Sequence, residues 1–547
     1  MRVGLGTLVL AALGGAVGLA TALALPGDLD PGFGNSGILV SDVSQATDDR
    51  VHDVLVQPDG RILAIGFGQG RPEELVAARY FENGTLDPSF GSGGTIATDI
   101  VPFGQGIVRR AALQADGKIV AAGNTNLGDF LVVRLRSDGS LDPTFDGDGV
   151  ATTDFGSPFS FSSDSAAAIA VQPDGRIVVA GRASLPTPNP WVNGFAVARY
   201  DTNGALDPSF DGDGRLVTSV GPNAVGTAVA IHPAGHIVVA GSAGFAGADR
   251  RFAVMFYGGS GATMGSAQVD LAGEDEATSV AVQGDGKVVV AGRSNDDFAV
   301  VRLFPLGGTD PTFDGDGSVL TTIAPGVAAT ALDLAVQSNG KIVAAGATTT
   351  AGIQDFALAR YASNGSLDTS FGGDGIVTTD LNGGVFDRIG GIDLAPDGDI
   401  VAGGWTGTSC NTVGCAFRFD FGLVRYLGDP PELGVAIDVR PGSDSNPVEL
   451  DRGVVPVAVL TTDGFDATTV DAASVCFGDA EAAAQRDCTE AHGRGHVEDA
   501  NADGRPDLVL HFETAETGID PGDTTACLTG RTSTGIAIRG CDRIRTS

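Results

Sequence analysis

The chain has 547 residues, 42% hydrophobic and only 18% charged, which is enough apolar content for sizeable cores and unlike a disordered composition. Lys+Arg number 33 against 68 Asp+Glu, a formal net charge of -35 that excludes a phosphate-backbone partner, because no basic stripe offsets it. Nucleic acid is therefore not an expected partner, and the excess of carboxylates suits solubility or divalent cations.

Residues 1–24 carry one charge, Arg2, then an apolar run ending in Ala22-Leu23-Ala24, the small-x-small form of a signal peptidase site. The segment reads as a cleaved export signal. An uncleaved anchor is the alternative, weakened by glycines at 4, 6, 14, 15 and 18. After cleavage no membrane association is expected, and the location is secreted or cell surface.

Residues 25–428 are built from a repeated frame: QPDGRILAIG (57–66), QADGKIVAAG (114–123), QPDGRIVVAG (172–181), HPAGHIVVAG (232–241), QGDGKVVVAG (283–292), QSNGKIVAAG (337–346) and APDGDIVAGG (395–404). Each is followed by a second apolar run such as LVAARY at 75 or FALARY at 356. Short runs rich in Val, Ile, Ala and Phe, punctuated by P-D-G, N-G and D-G, are strands and hairpins. Four antiparallel strands recurring at this period predict an all-β, seven-bladed β-propeller. An open β-solenoid is the alternative.

An LDPxF segment, read as the outer strand, occurs at 29, 86, 141 and 206, altered at 309 and 367, and degenerates within 262–270. The seventh set ends without one. The copy at 29 is thus expected to complete the last blade and close the ring, removing an open sheet edge. Because Asp87, Asp142 and Asp207 recur with the repeat they are expected to be structural, and the DGDG segments at 146, 211 and 314 to be tight turns. His52, His232 and His236 carry no expected catalytic role.

The repeat is interrupted at 155–165, 184–194 and 405–420. Propeller topology places these insertions on one face, where Trp191, Trp405, Phe155, Phe159 and Phe161 form a candidate ligand rim for an extracellular polysaccharide or surface protein. The other reading is that these aromatics pack their own loops, with Cys410 and Cys415 stapling one of them.

Residues 429–434 form a linker, and 435–547 contain short strands that predict a small β-sandwich. Six cysteines in an exported chain predict disulfides; Cys476, Cys488, Cys527 and Cys541 allow three pairings. The stretch DANADGRPD offers Asp499, Asn501 and Asp503 at alternate positions, a turn at Gly504, the Arg505 carbonyl and Asp507, which predicts a calcium loop. Leu510 stands where an EF-hand has its bidentate Glu, and a plain Asx-turn loop is the alternative. His492 and His496 lack the Glu of a metalloprotease motif, and His511 falls in a strand.

With QPDGRIVVAG, FALARY and LDPSFG, the segment 27–428 resembles the delta-60 repeat family of exported bacterial proteins. The resemblance implies a propeller and an extracellular location, and no particular activity. IDVRPGSDSNPVEL with GHVEDANADGRPDLVLHF resembles a module at the ends of varied exported microbial proteins. The expected function is that of an exported binding or structural protein, stabilised by calcium. The alternative is a polysaccharide-acting hydrolase or lyase with carboxylates in the propeller channel.

Overall fold

The computed structural model describes residues 25–43, 48–68, 74–100, 106–156, 164–185, 192–244, 250–271, 273–381, 383–408, 418–429, 433–443, 445–450, 453–462, 464–479, 494–533 and 537–546. The leader, Phe159, Phe161, Trp191, Cys410, Cys415, Cys488 and His492 lie outside them.

Each frame folds as a hairpin for a local reason. At Gln57 to Arg61 the Gln57 N–H donates to the Arg61 carbonyl at 2.7 Å, the Gly60 N–H to the Gln57 carbonyl at 2.9 Å, and Gly60 takes φ +81°. The turn joins the inner strand Asp49–Val56 to Ile62–Gly68, which is buried along its whole length. The third strand is Glu74–Tyr80 and the outer one Thr95–Thr98. Among the described residues this order gives seven four-stranded antiparallel sheets between residues 38 and 426. Their apolar side chains meet between neighbours; Leu63 and Ile65 of the first sheet, for instance, share a core with Val108 and Ile119 of the second.

The glycine that closes each frame has a physical cause. Every inner strand carries a bulge opposite it, as between Val51 and Asp53 or between Val108 and Arg110. A Cβ at Gly66 would lie 1.8 Å from the Arg50 carbonyl oxygen, and one at Gly123 would lie 1.7 Å from that of Ile107. No side chain fits there. The inner strands touch in sequence around a ring, with Asp49–Val56 returning to contact Arg388–Leu394 of the last sheet.

The LDPxF segment is not the outer strand, which corrects the sequence reading. Leu86 makes a single bridge to Tyr80, after which Asp87 accepts hydrogen bonds from the Ser89 N–H at 3.0 Å and the Ser89 hydroxyl at 2.7 Å, a turn stabilised by its own side chain. The outer strand follows it. Where the motif degenerates, the outer strand Thr263–Val269 pairs directly from Tyr257 and is longer.

The turn has another task. Arg79 Nε reaches Asp87 Oδ2 at 2.8 Å, its guanidinium lies 4.9 Å from the Phe90 ring, and its Nη1 donates at 2.5 Å to the Ser137 carbonyl of the next sheet. Arg134, Asp142 and Phe145, and then Arg199, Asp207 and Phe210, repeat this staple. Burial alone would raise the Asp87 carboxyl, but the Ser89 hydroxyl and N–H and then Arg79 outweigh it and bring it down to about 2.

The first segment supplies the last sheet's outer strand: Ile38–Ser41 pairs with Phe421 to Val424. The DGDG segments form tight turns, with Asp146, Asp211 and Asp314 all near φ +50°. Beyond residue 432 two further four-stranded sheets share one core that includes Val457, Phe477, Leu510, Phe512, Leu528 and Ile538. Leu433–Gly434, read as linker, already pairs with Ile538 and Arg539. Cys527 and Cys541 face one another on adjacent strands and form a disulfide, and Cys476 is also disulfide-bonded.

Candidate functional site

The inner-strand bulges turn side chains toward the ring's centre, and one of them fills it. Arg110 donates to the Gly390 carbonyl at 2.9 Å and the Leu332 carbonyl at 3.0 Å, and pairs with Asp333 at 3.1 Å and Asp53 at 3.4 Å. Asp333 also accepts from the Ser279 hydroxyl at 2.7 Å and the Ile392 N–H at 3.0 Å, while Asp393 accepts from the Val56 N–H at 2.7 Å. The remaining channel cavity, about 210 Å³, is lined by these groups with Thr227 and Thr278. Burial pushes Asp53 up to about 7 despite Arg110, and Asp393 up to about 6. Their oxygens are committed to N–H groups and to Arg110, so the network braces strands from opposite sides of the ring.

A second cluster lies at one mouth of the channel, where the inner strands begin. His52 stacks on Phe67 at 5.1 Å and tilts against Trp405 at 5.5 Å. The Arg50 and Arg388 guanidiniums each lie 5.9 Å from the Trp405 ring, and Arg50 lies 4.5 Å from Phe419. Burial, then Arg109, Arg110, Arg50 and Arg388, hold His52 down to about 3, so the imidazole is neutral; its buried Nε2 has no hydrogen-bond partner among the described residues. Arg109 opens to solvent at its rim, but the protein around it strips away part of its hydration and, with Arg182, lowers its pKa.

Some of these charges are balanced: Arg50 pairs with Asp48 at 3.1 Å, and Arg293 and Arg250 with Glu276 at 3.0 and 3.3 Å. Arg109, Arg182 and Arg388 make no ion pair among the described residues. In a chain of net charge -35, this is a local concentration of unpaired cations beside a half-buried tryptophan. Such an arrangement can bind an anion and stack a flat apolar face.

The sequence reading had selected Trp405 as part of a loop. The structure places it within the strand Ile400–Thr408, opposite Arg388. Phe155 is separate: it packs edge-on against Phe130 at 4.8 Å and belongs to the core between the second and third sheets. The arginines were missed, although a signal existed. The residue after each frame's closing glycine is Phe67, Asn124, Arg182, Ser242, Arg293, Ala347 and Trp405, the most varied position of an otherwise repetitive unit. All seven pair with the beginning of an inner strand.

In the second unit, Asp499 accepts from the Asp503 and Gly504 N–H groups, both at 3.0 Å, and Asn501 from the Asp503 N–H at 3.1 Å. Ala502 takes φ +59° and Gly504 φ +86°. Asp499, Asn501 and Asp503 are exposed, whereas Asp507 is buried and accepts from the Thr461 N–H at 2.8 Å and the Ala500 N–H at 3.0 Å. Arg505 donates its N–H to Asp503 at 2.9 Å. His496 stacks on His511 at 5.3 Å, and His232 on His236 at 5.3 Å in a hairpin turn.

Residues 57–90, 114–145, 172–210, 283–313 and 337–371 each match the family model described as "Domain of unknown function (DUF5122) beta-propeller". Every match ends at the phenylalanine of an LDPxF-type turn, and the two frames outside the matches, 232–241 and 395–404, are those that no such turn follows. The chain is thus a repeat protein of the β-propeller kind. No curated protein matches it. Similar solved structures include a calcium-binding regucalcin from Agrobacterium tumefaciens str. C58, at 12% identity over 59% of this chain and 92% of that one, TM-score 0.31. Others are the PQQ-bound aldose sugar dehydrogenase of Streptomyces coelicolor, at 11% identity over 71% and 98%, TM-score 0.32, and Drosophila Plexin A in complex with Semaphorin 1b, at 9% over 71% and 86%, TM-score 0.34.

Proposed function

We propose that this chain is an exported, seven-bladed propeller with a C-terminal β-sandwich, acting as a binding protein that holds an acidic extracellular polysaccharide at the channel mouth. The supporting observation is the grouping of Arg109 and Arg388, without ion pairs among the described residues, around His52 and Trp405, with Arg182 beside Arg109. A uronate carboxylate suits guanidinium donors, and a sugar ring offers an apolar face to an indole. The leader and a described disulfide support export; among the described residues no helix is long and apolar enough to cross a membrane. The loop Asp499 to Asp507 is proposed to take calcium, supported by the gathering of its side-chain oxygens around a turn.

A polysaccharide-cleaving reading would use Asp53 and Asp393, whose raised pKa values suit proton transfer. Against it, Arg110 plugs the channel and both carboxylates are consumed by structural hydrogen bonds. The test is retention of the mature chain on an immobilised polyuronate and on a neutral glucan, scoring soluble product as well. Selective retention that falls at least tenfold in Arg388→Ala and Trp405→Ala is expected. Equal retention on the neutral glucan would sink the binding site, and product growing with time would restore the enzymatic alternative.

A further inference from the structure

The junction between the sixth and seventh sheets holds three carboxylates that no cation among the described residues pairs with. Asp355 stands near the start of the strand Ile353–Tyr361, Asp380 follows the outer strand Ile376–Thr379, and Asp387 precedes the inner strand Arg388–Leu394. One oxygen from each lies within 4.8 Å of the others, the one such group among the described residues. The backbone fixes them: the Gln354 N–H donates to the Val385 carbonyl at 3.0 Å, the Asp387 N–H to the Gln354 carbonyl at 2.9 Å, and the Gly383 N–H to Asp380 Oδ1 at 2.8 Å.

Asp387 is the independent pointer to a ligand. It is 0% exposed; its Oδ2 accepts from the Leu381 N–H at 2.6 Å, while its buried Oδ1 meets full hydrogen-bond geometry with no group among the described residues, the Thr406 hydroxyl being the polar group beside it. That oxygen lies in a hollow that glycine leaves open, since a Cβ on Gly384 would fall 2.1 Å from it and 2.6 Å from Thr406 Oγ1. At two other junctions an arginine stands among the equivalent carboxylates. In the fourth sheet Arg251 replaces Asp355 and pairs at 3.2 Å with Asp270, the counterpart of Asp380, beside the buried Asp275. In the seventh, Arg418 pairs with Asp420 at 3.2 Å and with Asp42. Asp355, Asp380 and Asp387 have no ion pair among the described residues.

We propose that Asp355, Asp380 and Asp387 bind a hard divalent cation, calcium, which does at this junction what an arginine does at two others. Three carboxylates, the Thr406 hydroxyl and water make an all-oxygen set. Ligands fixed by separate backbone segments suit the variable geometry of calcium better than the strict octahedron at about 2.1 Å that magnesium requires.

The experiment is calorimetric titration of the full mature chain with calcium chloride and, separately, magnesium chloride, together with thermal melts. The set is wild type, Asp503→Asn to remove the C-terminal loop, Asp503→Asn with Asp380→Asn, and Asp503→Asn with Gly384→Ala. Asp380 is exposed, so its substitution leaves the fold intact. Asp503→Asn is expected to retain a calcium site and a calcium-dependent rise in Tm. Adding Asp380→Asn should weaken that site at least tenfold without lowering Tm in chelator, and Gly384→Ala should weaken it similarly. No calcium heat in Asp503→Asn, an unchanged site after Asp380→Asn, or equal response to magnesium would each overturn the proposal.

Discussion

The backbone of Ile38 pairs with that of Val424, nearly four hundred residues away, so the first described strand of the chain completes the sheet that the repeat leaves unfinished. Leu29 bridges Tyr426, the Gly27 N–H donates to the Leu427 carbonyl at 2.8 Å, and Phe33 is wholly buried in the core between the last sheet and the first. The closure therefore depends on one aromatic as well as on a ladder. Phe33→Ala should cost about 3–5 kcal/mol, as for other large-to-small changes in cores. Urea unfolding checks this, and a loss below about 1 kcal/mol would mean that the clasp adds little.

The staple of arginine, aspartate and phenylalanine predicts an acid limit to stability. Asp87, Asp310 and Asp368 are each brought down to about 2; burial opposes this, but serine or threonine hydrogen bonds and a basic partner outweigh it. A carboxyl depressed in the folded state binds its proton more tightly when unfolded, so it stabilises fully above the unfolded value near 4. That contribution is lost as pH falls from about 4 to 2. Unfolding monitored across this range should show a steep loss, reduced in slope by Asp310→Asn. The variant should itself lose about 3–5 kcal/mol at neutral pH by leaving Arg302 buried without its partner.

The channel carboxylates give the opposite sign. Asp53 and Asp393 are raised by burial, to about 7 and about 6, so the folded state holds protons that the unfolded chain has released. Their contribution is greatest below about 4 and declines as pH rises to about 7. Asp53→Asn should flatten this part of the stability profile. Arg110→Met should steepen it, because the carboxylates facing Arg110 lose their one compensating charge while remaining buried. A profile unchanged in both variants would mean that Asp53 titrates in its ordinary range.

The outline of the fold was legible because it is periodic: turn chemistry at P-D-G, apolar runs and the missing last outer strand are all local or countable signals. The LDPxF turn was misread because its Leu, Pro and Phe suit a strand as well as a stapled turn. What distinguishes the two is the reach of Arg79 to Asp87 and on to Ser137 of the next sheet, a tertiary fact. The bulges were invisible, although the closing glycines are their trace. Asp355, Asp380 and Asp387 converge from two sheets at sequence intervals that match no metal motif. The mouth was partly legible: Trp405 drew attention by its type, but Arg182 and Arg293 signify something only once their shared place after the frame is seen to be a shared place in space.

The second unit makes a separate prediction. Cys527 and Cys541 lie on neighbouring strands with a sequence separation of 14. Closing a loop of that size restricts the unfolded chain by about 3 kcal/mol on the loop-entropy model. Replacing both by alanine should lower the stability of residues 433–546 by that order, with the propeller transition unchanged in calorimetry. A single transition that moves as a whole would show instead that the two units unfold together.

Salt separates the two components of the proposed site. Attraction between the exposed guanidinium of Arg109 and an anionic ligand is screened as the Debye length contracts from about 10 Å at 0.1 M salt to about 3 Å at 1 M. Stacking on Trp405 is not. Wild-type retention on a polyuronate should therefore fall steeply between these salt concentrations to a residue that persists. Arg109→Ala and Arg388→Ala should reduce the slope, while Trp405→Ala should remove the persistent residue and leave the slope in place. Parallel curves for all the variants would mean that the arginines and the tryptophan do not act on one ligand, and the binding surface would have to be sought away from the channel mouth.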